Sequence, residues 1–210
     1  MVHSFPTRRS SDLSDIGLPL RANVDRSYRR GIELDAEWRP VKTVRARLTA
    51  NLSRNRIDEW AQFYDVYDAD GNFAGQETQL HRDVEPLLTP TTIVNPSLAW
   101  QALDFLDLTL QGRYVGRSWL DNTNTDGLET PSFFHLDLAV AAELKRWIPF
   151  GEPRLRLQVN NLLDNDRIWP SGYSYLYFQQ EPAGGSTLAG IPYFYPQATR
   201  SFSVALEFRH

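Results

Sequence analysis

The residues best suited to chemistry in this sequence are aromatic and acidic rather than nucleophilic. The segment 164–196 is uncharged over most of its length and carries Trp169, Tyr173, Tyr175, Tyr177, Phe178, Tyr193, Phe194 and Tyr195. Rings at that density form a surface for contacting a small molecule, or pack the segment onto its own scaffold. The segment 57–90 interleaves Trp60, Phe63, Tyr64 and Tyr67 with eight acids and one arginine, a net −7 on a chain whose total is −4. Such a surface stacks on sugars or chelator rings and repels strongly anionic ligands. The four histidines, His3, His81, His135 and His210, are scattered, and neither His-x-x-x-His nor Gly-x-Ser-x-Gly occurs, so no enzyme and no cofactor are expected. In Asp68-Ala69-Asp70-Gly71-Asn72, a superficial calcium loop, Phe73 occupies the glycine position and Gln79 stands where a twelfth-position glutamate belongs. An Asp-Gly hairpin turn is the better reading, and no metal site is expected.

Elements that could hold these residues must be found within 210 residues that include no cysteine. That composition excludes a disulfide scaffold, a thiol nucleophile and every Cys-ligated metal site. Lysines and arginines are not clustered, so nucleic acid is not a partner. From Ser27 onward, apolar and polar residues alternate with period two, the signature of strands with one apolar face. Tyr28, Ile32, Leu34, Ala36 and Trp38 share a face in the first strand, and Val44, Ala46, Leu48, Ala50 and Leu52 in the second. Further strands carry Val94, Leu98 and Trp100; Leu106, Leu108, Leu110 and Tyr114; and Phe134, Leu136, Leu138, Val140, Ala142 and Leu144. The last two carry Leu155, Leu157, Val159 and Leu163, then Phe202, Val204, Leu206 and Phe208, making seven strands and no helix.

Connection lengths and face chemistry narrow the architecture to an all-β, antiparallel transmembrane barrel. Short or modest connections at 39–43, 101–105 and 145–153 alternate with long ones at 57–91, 117–131 and 164–196. A membrane barrel sorts its loops in this way, short on the periplasmic side and long outside, and a soluble sandwich has no reason to. The face opposite the apolar one carries Glu33, Asp35, Arg45, Arg47, Asp107, Arg113, Asp137, Arg154 and Arg156, too many charges for a dry core. Runs of roughly nine to twelve residues also suit a bilayer-spanning strand better than a soluble one. Trp38, Trp100, Trp147 and Phe150 fall near the short-turn ends, and Tyr114, Trp119, Phe133, Phe134 and Trp169 near the long-loop ends, as two interfacial girdles. The chain then enters at an external loop around 16–26 and leaves with its C-terminus in the periplasm.

Several motifs occur in a fixed order: Asn23-Val24-Asp25-Arg26-Ser27-Tyr28-Arg29-Arg30-Gly31-Ile32-Glu33-Leu34, Trp38-Arg39-Pro40, Gly112-Arg113-Tyr114-Val115-Gly116, Val159-Asn160-Asn161-Leu162-Leu163-Asp164-Asn165, and Tyr195-Pro196-Gln197-Ala198-Thr199-Arg200-Ser201-Phe202-Ser203-Val204. Together they resemble the C-terminal barrel of TonB-dependent outer-membrane receptors, over roughly 16–210. The resemblance implies a barrel of about 22 strands plugged by an N-terminal domain, of which this chain supplies about seven strands. It implies uptake of a scarce solute (ferric siderophore, cobalamin or oligosaccharide) with energy relayed through the TonB complex. The partners implied are outer-membrane lipid, the receptor's own plug, TonB, the barrel-assembly machinery and a small-molecule ligand. Neither plug nor TonB box is present in the sequence, so the chain is read as the last third of a receptor that transports nothing alone. A passive porin or channel and a soluble carbohydrate-binding β-sandwich are the alternatives.

The chain divides into two segments. Residues 1–15 lack a secretory apolar run, and Val2–Leu13 resembles a translated adapter, so this segment is set apart as non-native or disordered. Residues 16–210 form the barrel portion. Candidate ligand contacts in external loops are Trp60, Tyr64, Tyr67, Trp169, Tyr173, Tyr175 and Tyr177; a solvated acidic loop bridged to lipopolysaccharide by divalent cations is the other reading of 57–90. Arg45, Arg47, Arg113, Arg154 and Arg156 are candidates to face the plug, unless they pair with Glu33, Asp35, Asp107 and Asp137 on neighbouring strands. Receptors of this kind end on an aromatic residue read by the assembly machinery. Here Phe202, Phe208 and His210 are the candidates, with His210 in the phase of the terminal aromatic.

Overall fold

Alternation with period two produces strands wherever one face has an apolar environment, and here it does so along nearly the whole chain. The computed structural model describes the backbone of residues 6–13 and 19–209 and the side chains of 24–208. In chain order the strands are β1 (Pro6–Leu13), β2 (Pro19–Asn23), β3 (Ser27–Val41), β4 (Val44–Tyr67), β5 (Phe73–Val84), β6 (Thr92–Leu103) and β7 (Leu106–Val115). They continue with β8 (Ser118–Trp119), β9 (Glu129–Thr130), β10 (Phe133–Glu143), β11 (Glu152–Asn160), β12 (Ser171–Gln180), β13 (Ser186–Tyr195) and β14 (Ser201–Arg209). The seven expected strands are β3, β4, β6, β7, β10, β11 and β14. Each pairs antiparallel with the next, forming a meander that is the wall of the molecule. β1 and β2 pair in a separate two-stranded ladder.

Register carries the apolar face across the wall without a break. Leu34 lies opposite Ala50, Ala50 opposite Val94, and Val94 opposite Tyr114. Leu110 lies opposite Leu138, Leu138 opposite Val159, and Val159 opposite Phe202. Directly opposed residues share a face, so a one-residue slip at any pair would turn a whole strand's apolar set into the polar side. This face is uncovered: Ile32 is 70% exposed, Trp38 68% and Val204 69%. A β-sandwich would bury it under a second sheet, and among the described residues no such sheet exists. An apolar surface spanning seven strands is stable only against lipid.

The buried cores lie beyond the wall, at the long-loop end. Tyr64, Leu128, Leu176 and Phe178 form one, and Ile57, Trp60 and Val84 the other. This corrects the expectation that 57–91 and 164–196 are loops. β4 continues to Tyr67 and returns as β5, and 171–195 forms the β12–β13 hairpin. Period two is blurred there because loops cover both faces in part, so Trp60 and Tyr64 are buried alongside Ile57. The hairpin turn at Asp68–Asn72 is as expected, with the Asp68 carboxylate accepting from the backbone N–H groups of Asp70 (3.0 Å) and Asn72 (2.7 Å). Those bonds, chiefly the ones from Asn72, hold the Asp68 carboxyl below the usual carboxylate range. Leu163 does not belong to its strand, because β11 ends at Asn160.

The girdle at the short-turn end is present. Trp100 lies opposite Val44, the Phe105 and Trp147 rings are 5.1 Å apart, and Phe150 stacks on Phe208 at 6.3 Å. At the other end Tyr114 and Phe134 are opposite each other and exposed. Trp119 and Phe133 are buried instead, and Trp169 stacks on Phe194 at 4.9 Å, so these three do not belong to the girdle.

Candidate functional site

What positions the long-loop end is a turn built on Asn161. Its backbone has φ +52°, a left-handed conformation that asparagine tolerates better than most residues. Its buried side chain donates to Asn165 O (2.9 Å) and Ala198 O (3.4 Å) and accepts from Asn165 N (3.1 Å). Asp164, also at positive φ, accepts from the Arg200 backbone (3.0 Å) and guanidinium (2.8 Å). These bonds, the backbone one first, hold the Asp164 carboxyl below its ordinary value. The Val-Asn-Asn-Leu-Leu-Asp motif thus ties the end of β11 to the start of β14 and fixes where the β12–β13 hairpin leaves and rejoins the wall.

That hairpin reaches back to β4. Tyr177, Phe178 and Gln179 pair in parallel with Asp65, Val66 and Tyr67, on the edge of β4 opposite the one taken by β5. Even-numbered residues of β12 pack inward: Leu176 and Phe178 join Tyr64 and Leu128, and the Ser174 hydroxyl donates to Asp121 Oδ2 (2.7 Å). Odd-numbered ones build a continuous aromatic face. Tyr173 stacks on Tyr193 at 4.8 Å and lies 6.0 Å from Tyr195; Tyr175 stacks on Tyr177 at 5.5 Å; Tyr67 meets Tyr177 edge-on at 5.5 Å. Ile191, opposite Tyr175, completes the row.

Asp65 sits within this surface and orders its hydroxyls. Tyr175 donates to Asp65 Oδ2 (3.0 Å), so its other contact, Tyr67 Oη at 2.9 Å, must be the donor to Tyr175. Gln76 Nε2 donates to Asp65 Oδ1 (2.9 Å). Burial first, and then the bond to the Asp65 carboxylate and its charge, push the Tyr175 hydroxyl well above its ordinary value, so it remains a neutral donor. The β4 register is regular from Arg45 to Asp65, so the tyrosine face around Asp65 continues the ribbon face that carries the wall's charges. Stacking and neutral hydrogen bonding are what it can offer a ligand. Among the described residues no cluster of three or more His, Asp or Glu side chains is arranged to hold a metal ion.

The structure therefore divides the residues singled out in the sequence. Tyr67, Tyr173, Tyr175 and Tyr177 come together, joined by Tyr193 and Tyr195. Tyr64 is fully buried, with its hydroxyl 2.8 Å from His81 Nε2, and burial pushes that hydroxyl up to about 12. Trp60 is buried, donating to Gln62 Oε1 (3.0 Å), and Trp169 is separate from the tyrosine surface, on Phe194. Asp65 is the residue that sequence reasoning missed: it counted as one of eight loop acids, and only the parallel pairing of β12 brings it under Tyr175.

On the charged wall face, Arg47 makes a two-pronged pair with Asp35 (2.9 and 2.6 Å), and Arg113 donates to Asn95 Oδ1 (3.2 Å). Arg154 pairs with Glu143 (3.2 Å) and Asp107 (3.4 Å), and Arg156 with Glu207 (3.0 Å). Arg45 has no ion-pair partner among the described residues. It opens into a cavity of about 530 Å³ whose charged lining is Arg39, Lys42, Arg45, Arg154 and Arg156 against Asp107. Phe202 and Phe208 are exposed on the apolar face, and His210 lies outside the described residues.

Comparison with known proteins gives this geometry its relatives. Residues 4–162 match the model of a family described as TonB dependent receptor-like, beta-barrel. Over 162 residues the chain is 27% identical to a ferrioxamine receptor of Yersinia enterocolitica, covering 76% of this chain and 20% of that protein. The crystal structure of a siderophore receptor from Acinetobacter baumannii superposes with a TM-score of 0.58 at 16% identity, covering 97% of this chain and 24% of the other. A ferric yersiniabactin uptake receptor from Yersinia pestis gives 0.56 at 14% identity, covering 88% and 24%. The chain spans about a fifth to a quarter of the length of these relatives. At such identities the solved structures speak for the fold alone.

Proposed function

Because the chain belongs to the TonB dependent receptor-like β-barrel family, we propose that it forms one sector of an outer-membrane barrel that takes up a ferric siderophore with TonB-derived energy. The observation that carries this reading is the unbroken register of a wall whose apolar face meets lipid and whose charged face leads, along β4, into the tyrosine surface at the long-loop end. The curated relative is a ferrioxamine receptor, which supports a siderophore over cobalamin or an oligosaccharide. Neutral tyrosine donors around one carboxylate suit a ligand of low charge.

In this reading the turns at 42–43, 104–105 and 144–151 lie in the periplasm, together with the C-terminus. Residues 16–210 are the wall portion and 1–15 stand apart from it on the sequence alone, since the β1–β2 ladder joins Pro6–Leu13 to Pro19–Asn23 across that boundary. The plug is supplied by the rest of the receptor. It meets the charged face, with acidic plug groups reaching Arg45, the arginine left unpaired in its cavity. Phe202 and Phe208 are held out on the closing strand for the assembly machinery, with His210 beyond them.

The test is growth and radio-iron uptake, with a ferric hydroxamate as sole iron source, in cells carrying or lacking the intact gene. Uptake that needs the gene and collapses when TonB is deleted supports the proposal. Uptake that persists without TonB contradicts it and favours a passive channel.

A further inference from the structure

On the face that carries the apolar surface, the row above Ile32 and Leu52 is not apolar. Arg30 and Arg54 lie directly opposite each other there, a juxtaposition of like charges that weakens a strand pair unless an anion lies between them. Among the described residues neither has a committed partner. No carboxylate among the described residues reaches Arg30, whose guanidinium rests 5.3 Å from the Tyr28 ring centre. Arg54 has only Asp83, at 3.9 Å, and Asp83 is shared with Arg56 at 3.4 Å, which is itself held by Glu85 at 2.6 Å. The other wall strands carry aromatic residues near this border, Tyr114 opposite Phe134 and Phe202 on β14, so the arginine pair is a local departure.

Depth places the pair at a headgroup. From Val44 to Leu52 the strand covers roughly 27 Å, or about 21 Å along the membrane normal at a tilt of about 40°, close to the roughly 25 Å apolar band of such barrels. Arg54 is two residues further on, about 5 Å higher, where hydrocarbon gives way to phosphate. Arginine guanidinium groups match phosphate geometry and bind it through charge-assisted hydrogen bonds.

We propose that Arg30 and Arg54 bind the phosphate of a lipid headgroup in the external leaflet, a site on the outer wall of the barrel separate from the ligand surface. It rests on the outer-membrane reading, which the temperature-dependent migration of the same sample on gels reports independently. The experiment is native mass spectrometry of the intact, detergent-extracted protein with lipid A carrying its phosphates, with the same lipid after phosphatase treatment, and with inorganic phosphate as competitor. Phosphorylated lipid A should bind, the dephosphorylated lipid should not, and excess inorganic phosphate should leave the complex in place. In the double variant Arg30→Gln/Arg54→Gln the affinity should fall about 25-fold, two arginines beside an anionic headgroup each contributing roughly fivefold. Arg82→Gln, on the opposite ribbon face of the same hairpin, should bind as the parent does.

Equal binding of the dephosphorylated lipid, unchanged binding by the double variant, or displacement by inorganic phosphate would each overturn the site. If the glutamine variant does not reach the heat-modifiable form, the Arg30→Lys/Arg54→Lys variant, expected to retain most binding, and the phosphatase comparison on the parent protein decide.

Discussion

Asn161 is the side chain on which most of the long-loop geometry depends. It combines a left-handed backbone with three hydrogen bonds that no other residue type reproduces together. Asn161→Gly keeps the backbone permission and loses the bonds; Asn161→Ala loses both, leaving buried backbone groups unpaired at a cost of about 2 to 3 kcal/mol. The temperature at which the intact barrel changes mobility on gels should therefore fall in the order parent, glycine variant, alanine variant. A glycine variant less stable than the alanine one would mean that backbone conformation is not the issue. At the tyrosine surface the expected effect is on ligand, not on fold. Tyr173→Ala removes a ring stacked on Tyr193 and exposed to solvent. Siderophore affinity should weaken about fivefold, roughly 1 kcal/mol for one ring contact, with the melting temperature nearly unchanged. Unaltered affinity would move the ligand away from this face.

Elements add constraints that single residues hide. The glycine of Arg-Gly-Ile-Glu-Leu is needed because a Cβ at Gly31 would stand 2.5 Å from the Leu52 carbonyl oxygen and 2.9 Å from Ser53 Cα, both backbone atoms of the neighbouring strand. Gly31→Ala should then separate β3 from β4 locally and lower stability by about 1 to 3 kcal/mol, read as the same gel transition at lower temperature. No shift would show that the strands have room to spare. The β4–β5 hairpin carries a second, pH-dependent constraint at His81. Burial holds the imidazole below its ordinary value of 6.5, with Asp121 opposing in part. An unfolded hairpin thus binds the proton more readily than the folded one, so stability is full above 6.5 and falls as pH drops toward the lowered value. Amide exchange over 60–66 and 76–82, corrected for intrinsic rates, should quicken below about pH 6.5 in the parent. In His81→Gln that acceleration should vanish; an identical pH profile would acquit His81. These elements also mark what a sequence can disclose. The wall strands were legible because one environment, lipid, covers one face of each. β5, β12 and β13 were not, because β12 and β13 carry aromatic rings on both faces and β5 is largely polar on both, so the residue types do not alternate although the side chains do. For the same reason Tyr64 and Trp60 read as ligand rings although they are core, and Asp65 read as one acid among many.

The molecule as a whole is a sheet with two solvents. Among the described residues the protein-lined cores sit where the hairpins and the 116–132 connection meet above the wall, so the wall itself gains stability from register and from lipid rather than from packing. The outer edges of β3 and β14 pair with nothing among the described residues, and unpaired edges are not tolerated in hydrocarbon. Barrel closure by further strands follows from that, and it is the state in which every prediction above is to be measured. The register puts even-numbered positions of β4 from Val44 to Leu52 on the lipid side and odd-numbered ones from Arg45 to Asn51 on the side of the aqueous lumen. These 210 residues contain no cysteine, so single substitutions from Ala46→Cys to Asn51→Cys, each read against the labelling of the parent protein, report one position at a time. In the intact protein in outer-membrane vesicles, a water-soluble maleimide should label positions 47, 49 and 51 and spare 46, 48 and 50, while a lipid-borne quencher should show the reverse. Labelling without alternation, or with the opposite phase, would contradict the account.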